Sequence, residues 1–174
     1  MTHSDDTPRI YVACLAAYNS GKLHGAWIDA TRDLEDIQAD VRAMLETSPE
    51  PDAEEYAIHD YEGFEGARIE EYTSLETVHE LALFIEEHGM LGAKLLEHHD
   101  GDQDAARRQL EDGYCGQWES AAAYAQDMTE QTTEIPEGLA AYIDYDGMAR
   151  DMELNGDIFT IETGHEEVHV FLNL

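Results

Sequence analysis

The order of apolar and polar positions divides this chain into a strand-rich beginning, a helical middle and a mixed end. Arg9-Ile10-Tyr11-Val12-Ala13-Cys14-Leu15-Ala16-Ala17-Tyr18 joins β-branched, aromatic and small apolar residues, which predicts a strand over 9–18. Asn19-Ser20-Gly21-Lys22 is a turn signal, and Leu23 to Asp29 predicts the returning strand of a hairpin. Leu34, Ile37, Val41 and Leu45 then fall at helical spacing behind a cap at Thr31 or Asp33, and Pro49 and Pro51 close that helix. Glu55 to Tyr61 predicts a third strand.

The period changes after Tyr72. Thr73-Ser74-Leu75-Glu76 has the spacing of a capping box, and Leu75, Val78, Leu81, Ala82 and Ile85 form one apolar stripe that Gly89 stops. Leu91, Leu95 and Leu96 mark a second helix. A third is capped by Asp102 or Asp104 and ends at Gly113. Ser120 opens a fourth through Tyr124 and Met128, and Pro136 suits the first turn of a short helix carrying Leu139, Tyr142 and Ile143. Ile158–Ile161 and Val168–Leu172 read as two strands around a turn at Gly164. The expected class is α+β. The expected domains are 1–70 (sheet plus helix), 71–113 (helical) and 114–174 (helices plus a hairpin).

Composition changes this picture in one respect. Forty Asp and Glu stand against nine Lys and Arg among 174 residues, a formal net charge of −31. The excess is not a tail. Residues 43–93 hold fourteen acids and one Arg (Arg68), and residues 109–174 hold fifteen acids and one Arg (Arg150), with apolar residues interleaved throughout. Such charge destabilises a compact state by self-repulsion, so its retention calls for a function. It disfavours direct binding to nucleic acid or anionic membranes, which requires Lys and Arg to neutralise phosphates. No apolar run reaches the roughly 20 residues of a membrane span. Met1-Thr2-His3-Ser4-Asp5-Asp6 is acidic and has no apolar signal core, which predicts a cytoplasmic protein. Cys14 and Cys115 are expected to be reduced.

Several motifs invite chemistry and fail on physical grounds. His165-Glu166-Glu167-Val168-His169 matches HExxH, which binds zinc only on a helix. Here it follows a glycine turn and runs into alternating Val168, Val170 and Leu172, and residues four apart on a strand are about 13 Å apart. Asp100-Gly101-Asp102-Gln103-Asp104 through Glu111 has the spacing of a calcium loop, but the required sixth glycine is Ala105 and the ninth position is Arg108. His88, His98 and His99 sit near helix ends, where the dipole favours them. No phosphate loop or nucleophile elbow is present, and no acid–base pair stands out. The expectation is no enzyme, no metal and no cofactor. Glu76 with Glu80, and Asp36 with Asp40, are like-charge pairs one helical turn apart, each costing a few tenths of a kcal/mol.

Taken together, several strings resemble the ArdA-type antirestriction family. They are Ile10-Tyr11-Val12-Ala13, Tyr18 to Leu23, Gly25-Ala26-Trp27, Tyr56-Ala57-Ile58-His59-Asp60-Tyr61-Glu62, Glu71-Tyr72-Thr73-Ser74, Tyr142-Ile143-Asp144-Tyr145 and Arg150 to Leu154. The resemblance covers essentially the whole chain after residue 8, and the Thr2–Pro8 extension has no counterpart. It implies a DNA mimic: an elongated chain of three small domains, acting as a homodimer, that occupies the DNA-binding groove of type I restriction-modification enzymes and protects incoming mobile DNA. The family offers no catalytic residues to transfer. Charge density, independently of the family, places the protein-binding surface on Glu54, Glu55, Asp60, Glu62, Glu65, Glu70, Glu71, Glu76, Glu80, Glu86 and Glu87. Its C-terminal counterpart is Glu111, Asp112, Glu119, Asp127, Glu130, Glu134 and Glu137.

The charge arithmetic suits such a mimic. With −31 on each of two chains, the total of −62 at the 1.7 Å charge spacing of B-DNA imitates about 105 Å, about 30 base pairs. Two other readings fit the same composition. One is an ordinary domain acidified for high salt, which the presence of only Lys22 and Lys94 also suits. The other is an acidic chaperone for basic proteins, which needs no DNA-like spacing.

Overall fold

A computed structural model describes residues 6–174; the first five residues of the acidic Met1–Asp6 stretch lie outside it. The secondary structure is mixed α and β, as expected, with two three-stranded antiparallel sheets. The chain divides into two compact units, residues 1–101 and 102–174.

In the first unit the strands are β1 (Arg9–Cys14), β2 (Gly25–Asp29) and β3 (Tyr56–Glu62), in the order β2-β1-β3. The pattern that predicts a strand to Tyr18 fails at Cys14. Neighbouring strands end there: Ala13 faces Gly25 of β2 and Cys14 faces Tyr56 of β3. Leu15 N makes the last bond across the sheet, to Glu55 O at 3.0 Å, and the chain then turns into a short helix, α1 (Leu15–Asn19), which buries Ala17. Alternation along β1 and β2 puts Ile10, Val12 and Ile28 on a buried face. Helix α2 (Leu34–Glu46) packs against β1 and β2 and buries Ile37, Val41 and Met44; Asp33 occupies its N-cap. Leu45, assigned to that stripe, is only half-buried.

Helix α3 (Leu75–His98) buries the whole expected stripe, Leu75, Val78, Leu81, Ala82 and Ile85. Its cap is displaced by one residue from the capping-box reading. Ser74, not Thr73, is the N-cap and accepts from Thr77 N, while Thr73 Oγ1 accepts from Glu70 N. Gly89 interrupts the helix with φ +57° and ψ −140°, a conformation that glycine reaches without a Cβ clash. The expected stop is therefore real, and the second helical half, with buried Leu95 and Leu96, follows at once. His79 Nδ1 meets Ala30 O at 2.9 Å, which ties α3 to the end of β2.

The second unit contains α4 (Gln103–Asp112), β4 (Tyr114–Trp118), α5 (Ala121–Thr132), α6 (Tyr145–Leu154), β5 (Ile158–Gly164) and β6 (Glu167–Leu172). Asp102 caps α4 through Ala105 N and Ser120 caps α5 through Ala123 N, both as expected. The sheet order is β4-β6-β5, and Tyr124, Ile158, Val168 and Val170 form a core with Cys115, Trp118 and Met152 packed on it. Buried Gln109 reaches across to donate to Leu172 O at 2.6 Å.

Three corrections apply here. Strand β4 has no sequence-based prediction, because Gly116 (φ +98°) and an irregular register between Tyr114 and Gln117 break its alternation. The helix expected after Pro136 is absent. Only a 3₁₀ turn, Ala140–Tyr142, forms, and Leu139 and Tyr142 are exposed. Gly138 raises the entropic cost of a helix there, and no apolar surface covers those side chains. Helix α6 stands instead a few residues later, capped by Asp144 through Gly147 N.

The HExxH segment lies on the β5–β6 turn and on β6, as its alternation indicates. His165 is exposed at the turn. His169 is buried, with Nδ1 2.7 Å from Tyr114 Oη and Nε2 3.1 Å from Thr163 Oγ1. Burial lowers its pKa from the ordinary value, and Glu167 opposes this. The unfolded chain, with histidine near about 6.5, then binds the proton more readily than the fold does. Stability from this group is complete above that value and is lost as pH falls toward the lowered one. The unfolding midpoint of this unit, read from Trp118 fluorescence in a Trp27→Phe background, should therefore drop between pH 7.5 and about 5.5. The drop should shrink in His169→Gln; an equal drop in both proteins would remove His169 as the cause.

Candidate functional site

Among the described residues no carboxylate is buried; the buried polar side chains are Gln109 and His169. This follows from the apolar periods. Each amphipathic element turns its regular apolar positions inward, and the acids occupy what remains, since an ionised carboxylate is costly to remove from water. Both units consequently carry acidic surfaces.

In the first unit Glu54 and Glu55 lead into β3, Asp60 and Glu62 lie on it, and Glu65 follows in a turn with φ +53°. Glu70 and Glu71 lie on the run into α3, where Glu71 O accepts from Ile58 N of β3 at 2.9 Å. Glu76, Glu80, Glu86 and Glu87 stand on α3. All eleven are exposed. In the second unit Glu111 and Asp112 end α4, Glu119 precedes α5, and Asp127 and Glu130 lie on α5. Glu134 and Glu137 follow it, and of these seven only Asp127 is half-buried.

The structure separates these acids into two kinds. Glu62 is committed locally: Arg9 Nε and Nη2 both donate to Glu62 Oε2, at 2.9 and 2.6 Å. Glu71 lies 3.6 Å from His59 Nε2. Asp127 and Glu130 accept from Gln131 and Gln126 one turn away on α5. Glu87 lies 3.6 Å from His88 Nε2. Glu54, Glu55, Glu65, Glu70, Glu76 and Glu86 belong to the second kind, exposed acids on a surface where cations are few.

Other cations are paired with acids outside the expected set. Lys22 meets Glu50 at 2.6 Å and holds its carboxyl below the usual range; Arg32 meets Asp40 at 2.6 Å, and its own pKa is raised by that contact. The Asp36–Asp40 repulsion expected on α2 is thus offset by Arg32. Charge density alone also leaves out other exposed acids: Asp33, Glu35 and Asp36 around the start of α2, and Asp146, Asp151 and Glu153 on α6. The spacing of Tyr145, Met148, Ala149 and Met152 behind Asp144 is a complete helical signal for α6 and would have found the second group.

The chemistry of such a surface is acceptance: many anionic oxygens in water, suited to Lys and Arg. The calcium-loop spacing from Asp100 onward is mostly helix, because Gln103–Asp112 is α4 and Asp102 serves as its cap. No group of three or more His, Cys, Asp or Glu among the described residues is arranged to hold a metal ion. Cys14 and Cys115 are free thiols. No helix among the described residues is long and apolar enough to cross a membrane.

A family model described as antirestriction protein (ArdA) matches residues 10–167. No curated protein matches the chain. The match spans both compact units and both acidic surfaces, and the chain belongs to the ArdA antirestriction family.

Proposed function

We propose that this protein is a DNA mimic that occupies the DNA-binding groove of a type I restriction-modification enzyme and so blocks restriction of incoming DNA. It acts as a cytoplasmic homodimer, without a cofactor, without contacting nucleic acid itself and without catalysis of its own. The division into three small domains, 1–70, 71–113 and 114–174, belongs to the same proposal. One observation carries it: on a chain of net charge −31, all described carboxylates lie outside the core, in both units. Proteins that read DNA place Lys and Arg on phosphates to fix register, and those contacts carry no base information. Carboxylates at the surface therefore suffice to satisfy them. Antirestriction, as the family's activity, supplies the class of enzyme on which such a surface acts.

The test is titration of the purified protein into a type I enzyme with its target DNA. Cleavage should fall as the protein is added. DNA should be displaced from the enzyme, and the effect should weaken as salt rises, because screened charge contacts drive it. Undiminished DNA binding by the enzyme in the presence of a large molar excess would overturn the reading.

A further inference from the structure

We propose that the solvent face of the first unit's sheet, centred on Trp27, receives arginine side chains of the protein partner. The proposal rests on the reading that the partner presents a basic groove. Residues that pair across strands share a face. Ile10, Val12 and Ile28 point into the core. The opposite face therefore carries two rows: Asp29–Arg9–Glu62, and Trp27–Tyr11–Asp60.

Trp27 is 41% exposed, unusual for the largest side chain on a strand. The Tyr11 and Trp27 ring centroids are 5.5 Å apart. Gly25 makes room for the Tyr11 ring; an added Cβ there would lie 2.7 Å from the phenol.

The face already shows what it holds. The Arg9 guanidinium carbon lies 4.9 Å from the centroid of Trp27 while its nitrogens pair with Glu62. One guanidinium stands among three carboxylates, Asp29, Asp60 and Glu62, so the face keeps a negative excess beside its aromatic rings. Charge decides the occupant. The same face of a second copy would bring the same three carboxylates against one guanidinium, and nucleic acid carries phosphates, so this face repels both. A guanidinium stacks on aromatic rings and pairs with carboxylates in a fixed fork, which an ammonium does not. Carboxylates alone offer arginine only the fork; the rings of this face add a surface on which a guanidinium stacks.

The probes are capped octa-arginine and octa-lysine peptides, titrated onto the full chain at physiological salt. Trp27 emission is isolated by Trp118→Phe. Octa-arginine should change that emission and bind about 5-fold more tightly than octa-lysine, the size of one exposed cation–π contact. Trp27→Leu should lower the ratio about 2-fold or more with an unchanged circular dichroism spectrum, the carboxylate fork keeping the remainder, and Asp60→Asn should reduce the ratio in part. Equal binding of both peptides by the parent overturns the proposal, as does a preference that Trp27→Leu leaves unchanged. Should Trp27→Leu fail to fold, the parent's emission change and Asp60→Asn decide the matter in the same directions. An arginine preference without inhibition of type I cleavage keeps this face and overturns the proposed function. Inhibition without the preference does the reverse.

Discussion

Replacing Glu76 by Gln alone should leave inhibition of a type I enzyme within about 5-fold of the parent, because one exposed ion pair contributes at most about 1 kcal/mol. Replacing Glu54, Glu55, Glu65, Glu70, Glu76, Glu80, Glu86 and Glu87 together should weaken it about a thousand-fold. Eight contacts of about 0.5 kcal/mol each sum to about 4 kcal/mol when the sites do not share partners. These eight lie outside the core, so the fold should survive; eight fewer negative charges take the chain from −31 to −23. Glu62 and Glu71 are left intact because Arg9 and His59 lie against them, and removing their charge would disturb the sheet as well as the surface. The measurement is the concentration for half-inhibition at two salt concentrations, with intermediate variants of two, four and six changes. Potency should decline stepwise, and its salt dependence should flatten. Abolition by one of the eight changes in a folded protein would show a discrete site in place of a distributed one.

The second large effect concerns stability. Phe84→Ala should destabilise the first unit by about 3–5 kcal/mol, the usual cost of truncating a buried Phe. Phe84 is 2% exposed, its ring centroid lies 4.8 Å from that of His88, and its ring edge would lie 3.0 Å from a Cβ at Gly92. It thus packs along α3 across the Gly89 interruption, where the backbone ladder is broken and side chains must hold the two halves together. Leu83→Ala, one residue away but 42% exposed, should cost under about 1 kcal/mol. Denaturant unfolding read from Trp27 fluorescence in a Trp118→Phe background compares the two. Equal losses would mean that the α3 core is not organised around Phe84.

Much of this fold is legible before any coordinates. The α3 stripe, the caps at Asp102 and Ser120, and the closing hairpin appear as expected, because each rests on contacts within a few residues: a 3.6-residue period, a side-chain oxygen over the next turn, or alternation around a tight turn. The errors have a common form. Leu15–Asn19 continues an apolar run that reads as strand yet is helical, because the paired registers of β2 and β3 with β1 stop at Ala13 and Cys14 and the Leu and Ala that follow favour a helix. Pro136 has the look of a helix start, but no surface buries Leu139 and Tyr142. Strand β4 carries a glycine at positive φ and exists because β6 offers it a ladder.

The same division holds for the candidate site. Charge sign, charge number and the exposure of the carboxylates follow from the sequence by itself, since an amphipathic chain that buries Ile10, Val78 and Val170 must leave its acids in water. So does the family, whose strings stand in order along the chain. Which acids are committed to Arg9, Lys22, Arg32 and His59 was decided only by the tertiary structure. So was the meeting of Tyr11, Trp27, Arg9 and Glu62 on one face of a sheet, from positions as far apart as 53 residues. Strand register sets those neighbours, and register depends on which strands pair, a long-range choice that no local period encodes.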